Sequence, residues 1–219
     1  MAIRVKICGL TNYEDTALAV SLGADVIGFI FAQSPRKVAP ETVAGILRAL
    51  SAKGLRDRVI TVGVFVNEKQ ETIERVLRQT GLDTVQLHGD EKSTDADRYP
   101  FNWYKALRIS SKEDVDTVVV KEQWHCSRLL VDAMVAGLYG GTGKKITVDV
   151  ARYAKKRVKE AGKEFFLAGG ITPENVYTVL NAVQPDGIDV GSGVEETPGK
   201  KSVEKMERLL GEIKRYEND

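Results

Sequence analysis

Short apolar runs alternate along the whole chain with longer stretches whose apolar residues return every three or four positions. Eight runs read as strands, over residues 4–8, 26–31, 59–66, 84–87, 103–108, 129–132, 165–168 and 187–190. They are near-continuous in Val, Ile, Leu and Phe rather than strictly alternating, the pattern of parallel strands covered by helices. Between them Val43, Ile46, Leu47 and Leu50 fall at helical spacing, as do Val176, Val179, Leu180 and Val183, while Ile73, Val76 and Leu77 begin the same series.

Start signals agree with this division. Thr11 with Glu14, and Asn67 with Gln70, have capping-box spacing. Thr172 before Pro173 reads as a cap followed by proline at the first helical position. A last helix is predicted over 202–216. Residues 91–100 and 110–123 are polar or β-branched and carry little helical periodicity. No Pro/Ser-rich linker or low-complexity tract divides the chain, so one domain over 1–219 is expected.

Eight strand–helix units predict a single-domain (β/α)₈ barrel, with an open doubly wound sheet as the alternative of equal spacing. Placement of polar residues favours the barrel. Cys8, Asp132 and several glycine turns each follow a strand, and in a barrel those ends converge on one mouth.

Composition narrows the function classes. With 42% apolar residues, 219 residues can bury one such core. A net charge of +1, from 32 basic and 31 acidic residues, gives no field suited to nucleic acid or a membrane surface. There is no signal-peptide pattern and no run of bilayer-spanning length, so a cytoplasmic protein is expected. The two cysteines lie in unlike contexts and suggest no disulfide, and Cys126, before a strand, reads as structural. The two histidines lack metal-ligand spacing, so no metal site is expected.

Chemistry collects at strand ends. Cys8 closes the first strand, with Gly9 permitting a sharp turn and a helix N-terminus expected near Thr11, an arrangement that lowers a thiol pKa and favours thiolate. As thiolate it is a nucleophile or a general base; a buried apolar cysteine is the plainer alternative. Asp132 ends the sixth strand among apolar neighbours, with no pairing partner in its own segment. Partial burial there raises a carboxyl pKa, which suits a general acid. Glycine turns follow the last three strands, at 140–143, 169–170 and 191–193. Backbone N–H groups can approach an anion at such turns, and barrels commonly bind phosphate after the last two strands. Residues 195–201 would supply the short extra turn of such a site. Arg36, after the second strand, is either an ordinary loop cation or a fork for a carboxylate or phosphate. His88 is either structural or orients a neighbour. Asp189 is either an interior barrel residue or a contact to a sugar hydroxyl.

Several of these segments together resemble the phosphoribosylanthranilate isomerase family. They are Val5-Lys6-Ile7-Cys8-Gly9-Leu10-Thr11, Phe31 through Ser34-Pro35-Arg36, Val85-Gln86-Leu87-His88-Gly89, Leu130-Val131-Asp132, Gly140-Gly141-Thr142-Gly143-Lys144, Leu167-Ala168-Gly169-Gly170-Ile171, and Asp189-Val190 to Gly193-Val194-Glu195. They run in the family's order from residue 5 to about residue 201. The resemblance implies a (β/α)₈ barrel without a cofactor and an Amadori rearrangement of N-(5-phosphoribosyl)anthranilate in tryptophan biosynthesis. It implies Asp132 as the acid that protonates the furanose oxygen and Cys8 as the base that removes the C2 proton. Arg36 would bind the anthranilate carboxylate, while Gly141, Gly143, Gly169, Gly170, Ser192 and Gly193 would line the phosphate pocket. The expected partner is a small phosphorylated substrate, and monomer and homodimer stay open. The chain departs from the family at Lys145–Val150, where a Phe-Asp-Trp-like segment is usual, at Gly191, usually serine, and at Ser202, often aspartate. Another phosphosugar barrel enzyme, an epimerase or a synthase, and a phosphate-binding scaffold without catalysis are the competing readings.

Overall fold

The computed structural model describes residues 2–132, 134–135 and 145–219. Eight parallel strands close into a barrel: β1 (Arg4–Cys8), β2 (Val26–Ile30), β3 (Ile60–Phe65), β4 (Thr84–Leu87), β5 (Trp103–Arg108), β6 (Arg128–Asp132), β7 (Glu164–Ala168) and β8 (Gly187–Val190). Neighbours in sequence are neighbours in the sheet, and β8 pairs with β1 through Arg4–Gly187 and Lys6–Asp189 to close it. The expected strands match within a residue or two at each end, and the open sheet is excluded.

Helices α1 (Tyr13–Leu22), α2 (Pro40–Ala52), α3 (Gln70–Thr80), α4 (Ser93–Ala96), α5 (Lys112–Val115), α6 (Val148–Glu160), α7 (Val176–Val183) and α8 (Val203–Asn218) form the outer layer. The helical stripes are buried as their spacing requires, with Val43, Leu50, Ile73, Val176 and Leu180 no more than 2% exposed. Truncating any of the leucines or isoleucines to alanine would cost about 2–5 kcal/mol. The two polar segments give only single turns, α4 and α5, the latter continuing as a wide turn over Asp116–Lys121. No helix among the described residues is long and apolar enough to cross a membrane.

Three expected helix starts are corrected. The α1 cap is Asn12, whose side chain accepts from the Asp15 N–H, one residue beyond the expected Thr11. Asn67 has a left-handed φ of 51° and accepts from the Asp90 N–H instead, so α3 begins only at Gln70. Thr172 lies in a turn closed by Asn175, and α7 begins at Val176. Ser202 does cap α8, accepting from the Lys205 N–H, so the serine performs there the cap an aspartate would. Residues 195–201 also differ from expectation. They form a hairpin of Glu195–Thr197 with Lys200–Lys201, and the extra helical turn is Ser192–Val194 just before it.

At the end of the barrel opposite the strand C-termini, one aspartate pattern recurs. Asp25 accepts from the Val5 N–H, Asp83 from Thr61 and Asp186 from Phe165, at 2.7–2.8 Å. Each aspartate stands just before an even-numbered strand and satisfies a backbone donor of the preceding odd one. Cys126 lies at the same end, buried, its thiol 3.1 Å from the Arg128 carbonyl oxygen.

Candidate active site

The period-two alternation of strands turns Lys6 and Cys8 of β1, Gln86 of β4, Tyr104 of β5 and Asp189 of β8 toward the barrel interior. Lys6 is wholly buried there, and its ammonium donates to Asp189 Oδ2 and Gln86 Oε1, each at 2.6 Å, and to Cys8 Sγ at 3.3 Å. Tyr104 OH donates to the same Gln86 oxygen at 2.8 Å. Gly28 on β2 makes the room. A Cβ there would come within 2.8 Å of Cys8 Sγ and 3.0 Å of Lys6 Cε.

Above this layer a cavity at the strand C-termini is lined by Cys8, Arg36, Asp132, Gly169, Gly170, Asp189, Ser192 and Gly193. Every described residue singled out from the sequence as catalytic or substrate-binding therefore meets there. Gly141 and Gly143 lie outside the described residues. Gln86 and His88 line the same cavity. Gly9 and Gly193 are required by geometry. Gly9 has φ +75° with Arg36 Cδ 2.6 Å from where its Cβ would be, and a Cβ on Gly193 would overlap the Ile171 carbonyl oxygen. Gly169 and Gly170 also hold positive φ, and the turn they make is tied by Asn175 Nδ2 donating to the Gly170 carbonyl oxygen.

The protonation states reverse two expectations. Burial pushes the Cys8 thiol up, Asp189 adds to the rise, and the Lys6 ammonium opposes both. The pull toward thiolate comes from a buried lysine, and it does not bring the pKa down. Asp132 is lowered rather than raised, first by His88 and then, against the opposing effect of burial, by Arg108 and Lys6. Its partner, absent from its own segment, comes from the residue that follows β4: His88 Nε2 stands 3.3 Å from Asp132 Oδ2, inside ion-pair distance but off the line of a hydrogen bond.

Arg36 reaches the mouth, yet its fork is already engaged. Nε and Nη2 donate to the two oxygens of Glu195 at 2.7 and 2.6 Å. Glu195 also accepts from the buried Lys201 ammonium, which in turn binds the carbonyl oxygens of Cys8 and Gly191. Burial lowers the Lys201 pKa against the pull of Glu195. His88 is held by its backbone N–H, which donates to the Phe65 carbonyl oxygen, and by the following loop, where Lys105 donates to Gly89 O and Glu91 Oε2.

A family model for N-(5'phosphoribosyl)anthranilate (PRA) isomerase matches residues 5–212. The chain belongs to that family. Among its relatives, the N-(5'-phosphoribosyl)anthranilate isomerase of Trichlorobacter lovleyi is 39% identical over 97% of this chain and 98% of its own. That of Pelobacter propionicus is 39% identical over 95% and 94%. The crystal structure of phosphoribosyl anthranilate isomerase from Thermotoga maritima superposes with a TM-score of 0.84 at 34% identity, over 97% of this chain and 99% of that one. A crystal structure of phosphoribosyl anthranilate isomerase in complex with reduced 1-(o-carboxyphenylamino)-1-deoxyribulose 5-phosphate superposes at 0.82 and 31% identity, with the same coverage. The isomerase family's barrel thus extends over nearly all of this chain.

Sequence reasoning left Gln86, Lys6, Glu195 and Gly28 without a role. One signal was available. Gln86 is a polar residue inside an apolar strand, which is costly when buried unless it is paired.

Proposed function

We propose that in this isomerase of tryptophan biosynthesis Asp132 is the general acid and Cys8 the general base of the Amadori rearrangement. The observation that carries the assignment is the cavity itself. A carboxyl on β6 and a thiol on β1 enter it from different strands, and the glycine turns after β7 and β8 form its third side.

Asp132 gives its proton to the furanose ring oxygen of N-(5'-phosphoribosyl)anthranilate, and the C1–O bond opens to the protonated Schiff base. Cys8 as thiolate then takes the C2 proton, and the C2–H electron pair moves to neutralise the iminium, giving the enolamine. Tautomerisation to the ketone loses the enol O–H proton and gains one at C1, so the overall reaction consumes no proton. The thiolate that the second step needs forms beside the Lys6 ammonium, 3.3 Å away. Gly169, Gly170 and Gly193 hold the phosphate through backbone groups at turns with no Cβ in the way, with Ser192 beside them, and the family pattern assigns Gly141 and Gly143 to the same phosphate. The Nη1 side of Arg36, outside its pair with Glu195, takes the anthranilate carboxylate. Asp189 Oδ1, buried and without a hydrogen bond, accepts from a substrate hydroxyl.

The test is turnover of freshly generated substrate, followed by loss of its fluorescence, for the wild type, Cys8→Ala and Asp132→Asn. Each proton-transfer group is worth about 10²–10⁴-fold, so each variant should lose at least that much in kcat while keeping its circular dichroism. Near wild-type turnover in either variant would remove that residue from the mechanism.

A further inference from the structure

Which nitrogen of the His88 ring carries the proton is decided two residues away, by Gln86. The side-chain oxygen of Gln86 is identified by its neighbours: Lys6 Nζ, 2.6 Å away, can only donate, and Tyr104 OH lies 2.8 Å away on the same atom. The other terminal atom of Gln86 is therefore the amide nitrogen, a donor, and it lies 3.2 Å from His88 Nδ1. For Nδ1 to accept, it must be bare. The ring proton then sits on Nε2, the nitrogen that faces Asp132 Oδ2 at 3.3 Å and is buried without a hydrogen bond of its own.

We propose that Gln86 and His88 are the positioning pair of the acid: Gln86 locks His88 as the Nε2–H tautomer, and His88 turns the positive end of that N–H, rather than a lone pair, toward Asp132. The proposal rests on the assignment of Asp132 as the acid. Its chemical content is a restriction. A histidine whose lone pair is turned to Gln86 has no acceptor to offer the carboxyl, so it cannot draw off the Asp132 proton. The proton that Asp132 carries in the working complex has one outlet, the substrate oxygen. In the free site the same N–H favours the carboxylate, and the charges of Arg108 at the end of β5 and Lys6 on β1 act in the same direction. The row Cys8–Lys6–Gln86–His88 is thus linked by hydrogen bonds whose direction the buried ammonium sets, and it ends at the His88 Nε2–H, 3.3 Å from Asp132 Oδ2.

Two measurements test this, and the first needs no variant. The chain has two histidines, so a protein labelled with ¹⁵N-histidine gives a spectrum that one His125→Gln comparison assigns. His125 is largely exposed. In its neutral form His88 should show a bare, pyridine-like Nδ1 and a protonated Nε2, and Gln86→Glu, which can only accept, should place a proton on Nδ1. An Nδ1–H tautomer in the wild type overturns the proposal.

The second measurement is the pH dependence of kcat/KM. His88→Ala removes a donor that favours the charged carboxyl, so the acidic limb should move up by about one pH unit or more. His88→Gln, whose amide can donate from the same place, should move it less. An acidic limb identical in the wild type and His88→Ala overturns the proposal, since a merely structural histidine would leave it in place. If Asp132→Asn instead keeps full activity, the acid assignment fails, and the tautomer result stands apart from it.

Discussion

Asp132 and Cys8 hold the wrong protons for the reaction when the site is empty. The carboxyl lies below its ordinary range because of His88 beside it and the charges of Arg108 and Lys6, and the thiol lies above its range because it is buried beside Asp189. At neutral pH the proton therefore sits on sulfur, whereas the working form has it on the carboxyl. The two arrangements carry the same number of protons, so their ratio does not change with pH between the two pKa values. The expected kcat/KM profile is a broad plateau. Its acidic limb, where the thiolate form is lost by protonation of both groups, falls below the ordinary carboxylate range. Its alkaline limb, where both are deprotonated, falls above the ordinary thiol range. A pH series with freshly made substrate checks this, and an alkaline limb below about pH 8 would contradict the burial of Cys8. Both shifts escaped the sequence for one reason. The partner that lowers Asp132 is 44 positions away, just past the end of β4, and the groups around Cys8 include one from β8. Strand ends are legible in a sequence, but what faces them across a barrel is not.

The hairpin after β8 ties the mouth together. Glu195 holds the Arg36 fork on one side and the Lys201 ammonium on the other, and Lys201 reaches back to the end of β1. Arg36 is thereby aimed before any substrate arrives. Glu195→Gln keeps the shape but removes a charge that two cations share. It should cost about 1–3 kcal/mol of stability and raise KM severalfold with a smaller change in kcat, because Arg36 loses its aim rather than its charge. Thermal unfolding and the KM-against-kcat split are the readouts, and an unchanged KM would place Arg36 away from the substrate. At this scale the strands were legible because each is a run of buried apolar residues bounded by polar ones. Caps were less so: Thr11 and Asn12 both suit an N-cap, and only the backbone at Asn12, extended at φ −141°, chooses between them. The hairpin was missed because residues 195–201 contain Pro198 and Gly199, which suit a short helical turn and a strand reversal equally.

Across the whole molecule, the site end and the opposite end are built differently. One gathers side chains from β1, β4, β6 and β8 into a single cavity. The other is held by local stitches, Asp25 to β1, Asp83 to β3 and Asp186 to β7, each joining an odd strand to the even strand that follows it. The chain ends also meet, with the Ile3 N–H donating to Glu217 Oε1 at 2.7 Å. A short linker can therefore join them and the chain can be opened elsewhere. An opening at Gly54 falls between stitched pairs. An opening at Gly81 falls inside the β3–β4 pair, next to Asp83 and to the carbonyl that Arg56 holds at 3.2 Å. The Gly54 permutant should melt close to the uncut protein and the Gly81 permutant several degrees lower; equal melting of the two would show the stitches to be mechanically idle. Three of the four strand pairs thus carry their own aspartate stitch, and Gly54 lies between two of them. A chain that must be cut, shuffled or grafted will part more cleanly between two stitched pairs, as between β2 and β3, taking two strands and their aspartate as one piece.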